Sequence, residues 1–146
     1  MIRTPRRDFL AASGAALLVL ALPQLALAQT ATAPNRALFQ VTDNDPARWT
    51  MILNNMQNLR DGVDGEPVEI ELVAYGPGIN MLKSDSPVKQ RIAEAMKSGV
   101  KVNGCQNTMT NAKLVPADML PNISYVPAGV VEVMRKQQQG WAYIRS

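Results

Sequence analysis

The sequence predicts an α/β domain built on a mainly parallel five-stranded sheet with helices on both faces. Three observations carry that expectation. Short β-branched runs alternate with runs whose apolar residues recur at helical spacing. One β-type run, residues 68–75, begins by alternating and ends wholly apolar, the pattern of a strand covered on both faces. Glycine and proline mark most changes of pattern, and from Arg36 onward there is neither an internal repeat nor a second linker.

The first strand is expected over residues 37–41. Asp43, Asn44 and Asp45 follow as candidate caps, and Pro46 suits a first helical turn, where a missing N–H costs nothing. Trp49, Ile52, Leu53, Met56 and Leu59 describe one helical stripe, ended by Gly62 and Gly65. After the 68–75 strand, Gly76-Pro77-Gly78 turns the chain into a short segment at 79–82. Ser86 is read as the cap of a second helix with Pro87 in its first turn; Val88, Ile92, Ala95 and Met96 line its inner side and Gly99 stops it. A central strand over 100–103 leads to Gly104 and Cys105, and a short helix is expected over 107–114. A strand at 123–126, a turn at Pro127-Ala128-Gly129, a helix over 130–139 closed by Gly140, and a last strand at 141–144 complete the order.

The chain has 146 residues, 47% apolar, 18% charged and 5% aromatic, enough for one domain with a real core. It contains no histidine and one cysteine. Ser-His-Asp and Cys-His machinery, His/Cys zinc sites, histidine-ligated haem, iron–sulfur clusters and an intrachain disulfide are therefore excluded within one chain. The remaining chemistry rests on one thiol or on carboxylates, and neither a metal nor a cofactor is expected. Helix capping accounts for Asp43 and Asp45 more simply than cation binding does. Gly76-Pro77-Gly78 lacks the spacing of a dinucleotide fingerprint and has no phosphate-loop Lys-Ser/Thr after it.

The first residues read as an export signal. Arg3, Arg6 and Arg7 precede an apolar run over 9–22 broken only by Ser13 and Gly14; Pro23 and then Ala26-Leu27-Ala28 follow. Arg6-Arg7 before Asp8-Phe9-Leu10 has the form of a twin-arginine signal. The run is short for a spanning helix. The expected organisation is a cleaved signal at 1–28, a flexible lead-in at 29–35, a folded domain at 36–146, and a periplasmic location with no stable membrane anchor. Removing 1–28 leaves 12 basic and 11 acidic residues, a balance of +1. With no basic cluster, nucleic-acid binding has no support.

In parallel sheets ligands gather beyond the carboxyl ends of the strands. Here those ends are Asp43-Asn44-Asp45, Gly76-Pro77-Gly78, Gly104-Cys105-Gln106-Asn107 and Pro127-Ala128-Gly129, and the only thiol lies among them. A helix beginning near Asn107 would aim its unpaired N–H groups at the sulfur and favour thiolate. Lys101 or Lys113 could add to this, and Gly104 would let the backbone approach a partner closely. The competing reading is a small buried hydrophobe. The strand-end position and the exposure of an exported thiol to oxidation weigh on the reactive side.

The segments LNNMQNL at 53–59, VAYGPGI at 73–79, GVKVNGCQNTM at 99–109, VPAGVVE at 126–132 and QQGWAYI at 138–144 together resemble the DsrE/DsrF-like family of sulfur-relay related proteins. The resemblance covers residues 36–145. It implies a three-layer α/β/α domain with a five-stranded parallel sheet, assembled into trimers or hexamers. In relay members a cysteine after a strand accepts sulfur as a persulfide, and Cys105 is the matching position. Asn107-Thr108-Met109 matches the motif around it. The implied function is a periplasmic sulfur carrier or sulfurtransferase-like subunit, with Gly104, Asn107, Thr108, Gly76 and Gly78 around the sulfur. Its partners would be donor and acceptor proteins or small thiols. The relay members are cytoplasmic, so an export signal implies a different donor and acceptor. A non-catalytic oligomeric binding module and a thiol redox sensor are the alternative readings.

Overall fold

The computed structural model describes residues 34–145. The export signal expected at 1–28 and residues 29–33 of the expected lead-in lie outside the described residues. Within them the order is β1 (Asn35–Val41), α1 (Pro46–Gly62), β2 (Val68–Ala74), a 3-10 segment (Gly76–Leu82), α2 (Lys89–Lys97), β3 (Lys101–Cys105), α3 (Gln106–Asn111), a 3-10 turn (Pro116–Asp118), β4 (Ser124–Val126), α4 (Gly129–Gln138) and β5 (Ala142–Ile144). The sheet runs β4-β3-β2-β1-β5, and every pairing in it is parallel. The α/β expectation therefore holds.

Strand alternation divides the core in two. Ala37, Phe39 and Val41 of β1, Ile70, Leu72 and Ala74 of β2, and Val102 of β3 face one side. They pack there with Trp49, Ile52, Leu53 and Met56 of α1, Ile92 of α2 and Met109 of α3. Leu38, Val73 and Val126 face the other side, where Val133 of α4 covers them. Among the described residues α4 is the one helix on this second face. The polar side chains Glu71 and Asn103 are also buried, at the strand positions that share its parity.

Local chemistry explains the elements. Asp45 caps α1 by accepting from Ala47 N at 2.9 Å, a contact worth about 1 kcal/mol. Trp49 is buried, and its indole N–H donates to Asp43 O at 2.8 Å, tying α1 to the end of β1. The second helix starts later than Ser86 suggested. Ser86 instead closes a turn, its carbonyl accepting from Lys89 N and its hydroxyl from Val88 N, so α2 begins at Lys89. The strand predicted over 100–103 extends through Gly104 and Cys105, because these residues pair with Tyr125 and Val126 of β4. The helix after it ends at Asn111 rather than 114, where Lys113 takes a left-handed φ of 57°.

Gly78 is the most closely hemmed in of the described glycines. A Cβ there would stand 2.3 Å from the carbonyl oxygen of Val41, so the 3-10 segment can cross the end of β1 only with glycine. Gly78→Ala is expected to cost about 3 kcal/mol of stability, read as a lower denaturant midpoint at unchanged slope.

Candidate functional site

The connections after β1, β2 and β3 run to the first face of the sheet, and the connection after β4 runs to the second. Outgoing chains therefore diverge between the carboxyl ends of β3 and β4. That is the topological switch point, where open α/β sheets leave a crevice. Cys105 is the last residue of β3 and pairs with Val126 of β4, at that crevice.

Its side chain is held by two helix starts. Cys105 is the N-cap of α3, and Sγ accepts from Thr108 N at 3.4 Å. From the other face, Gly129 N at the start of α4 donates to the same sulfur at 3.3 Å. α4 has no side-chain cap of its own, so the sulfur occupies that role. The Thr108 hydroxyl accepts from Gly76 N at 3.0 Å and donates to the sulfur, passing polarity from the β2 end to the thiol. Burial works against ionisation here, since Cys105 is only 4% exposed. The Thr108 hydroxyl and the N–H groups of Gly129, Thr108 and Asn107 outweigh it and hold the thiol below its ordinary pKa.

Tyr75 closes the crevice beneath Gly129. A Cβ on Gly129 would lie 2.6 Å from the Tyr75 ring, so glycine is what lets α4 start close enough for its N–H to reach the sulfur. Burial pushes the Tyr75 phenol up, and the fields of Tyr143 and Cys105 add to this, which keeps it protonated. Its oxygen accepts from Gln40 Nε2, and Gln40 Oε1 in turn accepts from the Tyr143 hydroxyl. A polar row thus runs along the strand ends from β2 to β5.

The predicted site residues divide into two groups. Thr108 meets the Cys105 sulfur directly and Gly76 acts through Thr108, whereas the Asn107 N–H donates to Pro127 O at 3.1 Å and favours the thiolate least. Gly104 lies on the opposite face of β3, between Ile79 and Tyr125, where a Cβ would find ordinary contact at 3.5 Å. Gly78 serves the crossing over β1. Lys101 is drawn to Glu71, at 3.6 Å, and neither it nor Lys113 contributes to the thiol's shift. Gly129 and Tyr75 were not singled out from sequence. The one available signal was that Pro127-Ala128-Gly129 also ends a strand. A shallow groove bordered by Gly76, Pro77, Asn80, Thr108 and Asn111 lies on the α3 side of the thiol. A more enclosed pocket, walled by Gln40, Arg48, Trp49, Tyr143 and Arg145, lies at the ends of β1 and β5, two strands away.

Ultraviolet titration of the thiolate, with the Cys105→Ser protein as baseline, is expected to give a midpoint below that of a free thiol. Thr108→Val should lower the thiolate fraction about tenfold on the rising limb, and Thr108→Ser should restore it.

The chain was compared with known proteins. A model of the DsrE/DsrF-like family matches residues 25–145. A search of curated proteins finds no match. Among solved structures, the protein of unknown function MTH1491 from Methanobacterium thermoautotrophicum is 35% identical, with a TM-score of 0.72, covering 77% of this chain and 99% of its own. The conserved protein of unknown function BT1422 from Bacteroides thetaiotaomicron shares the fold at 14% identity and a TM-score of 0.63, covering 77% and 95%. The ychN protein from E. coli shares it at 10% identity and a TM-score of 0.62, covering 78% and 100%. A family match of this extent, joined to the parallel sheet and the thiol at its switch point, means that the chain belongs to the DsrE/DsrF-like family.

Proposed function

We propose that the protein is an exported sulfur carrier that holds sulfur as a persulfide on Cys105. The observation that carries this reading is the convergence of N–H donors from two helices on one sulfur at the switch-point crevice. A structural thiol needs no such donors, whereas an anionic thiolate or persulfide does. The family's link to sulfur relay supports the same reading.

The transfer balances without any redox partner when the donor carries sulfane sulfur. Cys105 thiolate attacks the outer sulfur of a small persulfide or of thiosulfate. The new S–S bond forms as the old one breaks, and the donor leaves as a thiolate or as sulfite with the bonding electron pair. An acceptor thiolate then attacks the outer sulfur on Cys105 and releases the Cys105 thiolate. The near-complete burial of Cys105 favours a small donor over a bulky one. The exposed Val130 and Met134 on α4 support assembly with further copies, as the trimer or hexamer reading expects.

The burial of Cys105 also favours a second reading, a binding module of the same fold in which the thiol is incidental. Intact mass after exposure to thiosulfate separates the two. The carrier is expected to gain whole sulfur atoms, lost with dithiothreitol and absent in Cys105→Ser. An unchanged mass, with a thiol that alkylates only after denaturation, overturns the carrier. A twin-arginine route is part of the proposal, since the Arg6-Arg7 pair carries it. Replacing that pair with Lys-Lys is expected to trap precursor inside the cell, and unimpaired export would favour the general secretory route.

A further inference from the structure

The buried face under α4 holds a charge cluster that the sulfur chemistry does not use. Glu71, in the middle of β2, is fully buried. Its Oε1 accepts from Asn103 Nδ2 at 2.7 Å. Its Oε2 is met by ammonium groups as ion pairs rather than by a directed hydrogen bond, with Lys136 Nζ at 2.7 Å and Lys101 Nζ at 3.6 Å. Lys136 belongs to α4 and is itself largely covered. Glu132 lies 3.8 Å from its Nζ, and the Trp141 ring centroid lies 4.3 Å away.

Two spacings link this cluster to the thiol. Asn103 precedes Cys105 by two residues on β3, so both side chains point to the α4 face. Lys136 follows Gly129 by seven residues, two helical turns, so both contacts lie along one side of α4. The helix is therefore pinned to the sheet at two points, by Gly129 on Cys105 and by Lys136 on Glu71. The contacts between them are apolar, through Val133, and apolar packing tolerates sliding where an ion pair in a dry site does not.

We propose that Glu71 and Lys136 are positioning residues that set the register of α4 on the sheet and so hold the Gly129 N–H on the Cys105 sulfur. This deepens the carrier reading by naming what keeps the sulfur's second donor in place. Its readout is thiol ionisation, which is separate from sulfur loading, so either idea can fail while the other stands.

Charge sign distinguishes positioning from a direct field effect. Glu71→Gln removes a negative charge, which by field alone would ease ionisation of the thiol. Lys136→Met removes a positive charge, which by field alone would hinder it. Loss of register hinders it in both. The test is ultraviolet thiolate titration of both variants of the mature protein, with amide exchange followed at Gly129 and Thr108. Both variants are expected to show about a tenfold lower thiolate fraction on the rising limb, with faster exchange at Gly129 and unchanged exchange at Thr108. Shifts of opposite sign, or an unchanged titration in either folded variant, overturn the proposal. Should a single substitution unfold the domain by stranding its partner's charge, the Glu71→Leu/Lys136→Met pair carries the comparison, since it removes both charges of the closest ion pair together. A lowered thiolate fraction in that protein supports the proposal, and a native titration overturns it.

Discussion

The reversal of chain direction after β4 is the constraint on which the rest of the structure depends. The strands advance from β1 to β4 toward one edge, and β5 then returns to the far side of β1. Parallel connections of a single hand place their helices on one face while the chain advances and on the other when it doubles back. α4 therefore crosses alone, among the described elements, beneath strands whose opposite face is covered by α1, α2 and α3. The crevice that receives Cys105 is a by-product of this divergence.

The same constraint explains the electrostatics. A single crossing helix shields the middle of the second face but brings little apolar surface to it. The strand positions below it include Glu71 and Asn103 as well as Leu38 and Val73. A buried carboxylate is tolerable only when paired, and α4 brings Lys136 for that purpose. At the other end of α4 the first N–H groups lack a side-chain cap, and Cys105 supplies the acceptor for one of them. The helix thus sets a positive donor against an acceptor on the sheet near each end, the Gly129 N–H against the Cys105 sulfur and the Lys136 ammonium against the Glu71 carboxylate.

This arrangement accounts for how a protein without histidine lowers the pKa of a buried thiol. Removal from water favours the neutral form, and among the described residues no cation offsets it. The offset comes from fixed N–H and O–H dipoles, which need no reorganisation when charge develops on the sulfur. Thr108 is the hinge of that set: its amide caps through Cys105, and its hydroxyl joins Gly76 to the sulfur.

Periodicity and punctuation in the sequence were enough to predict the five strands, the helices between them and the parallel class, because these follow from local spacing and from which faces are apolar. They also marked Cys105 as a strand-end thiol next to a helix start near Asn107, and the family resemblance added Thr108 to its surroundings. Boundaries were less legible. Gly104 and Cys105 read as loop residues but are strand residues, because pairing with β4 extends β3 through them. Gly129 was legible only as part of a strand end, and neither its contact with the sulfur, nor Tyr75, nor the Glu71–Lys136 pair could be read. Gly129 lies 24 residues from Cys105, and no local pattern says which face α4 takes. That face is decided by the order in which strands join the sheet, a property of long-range pairing, and only the tertiary structure contains it.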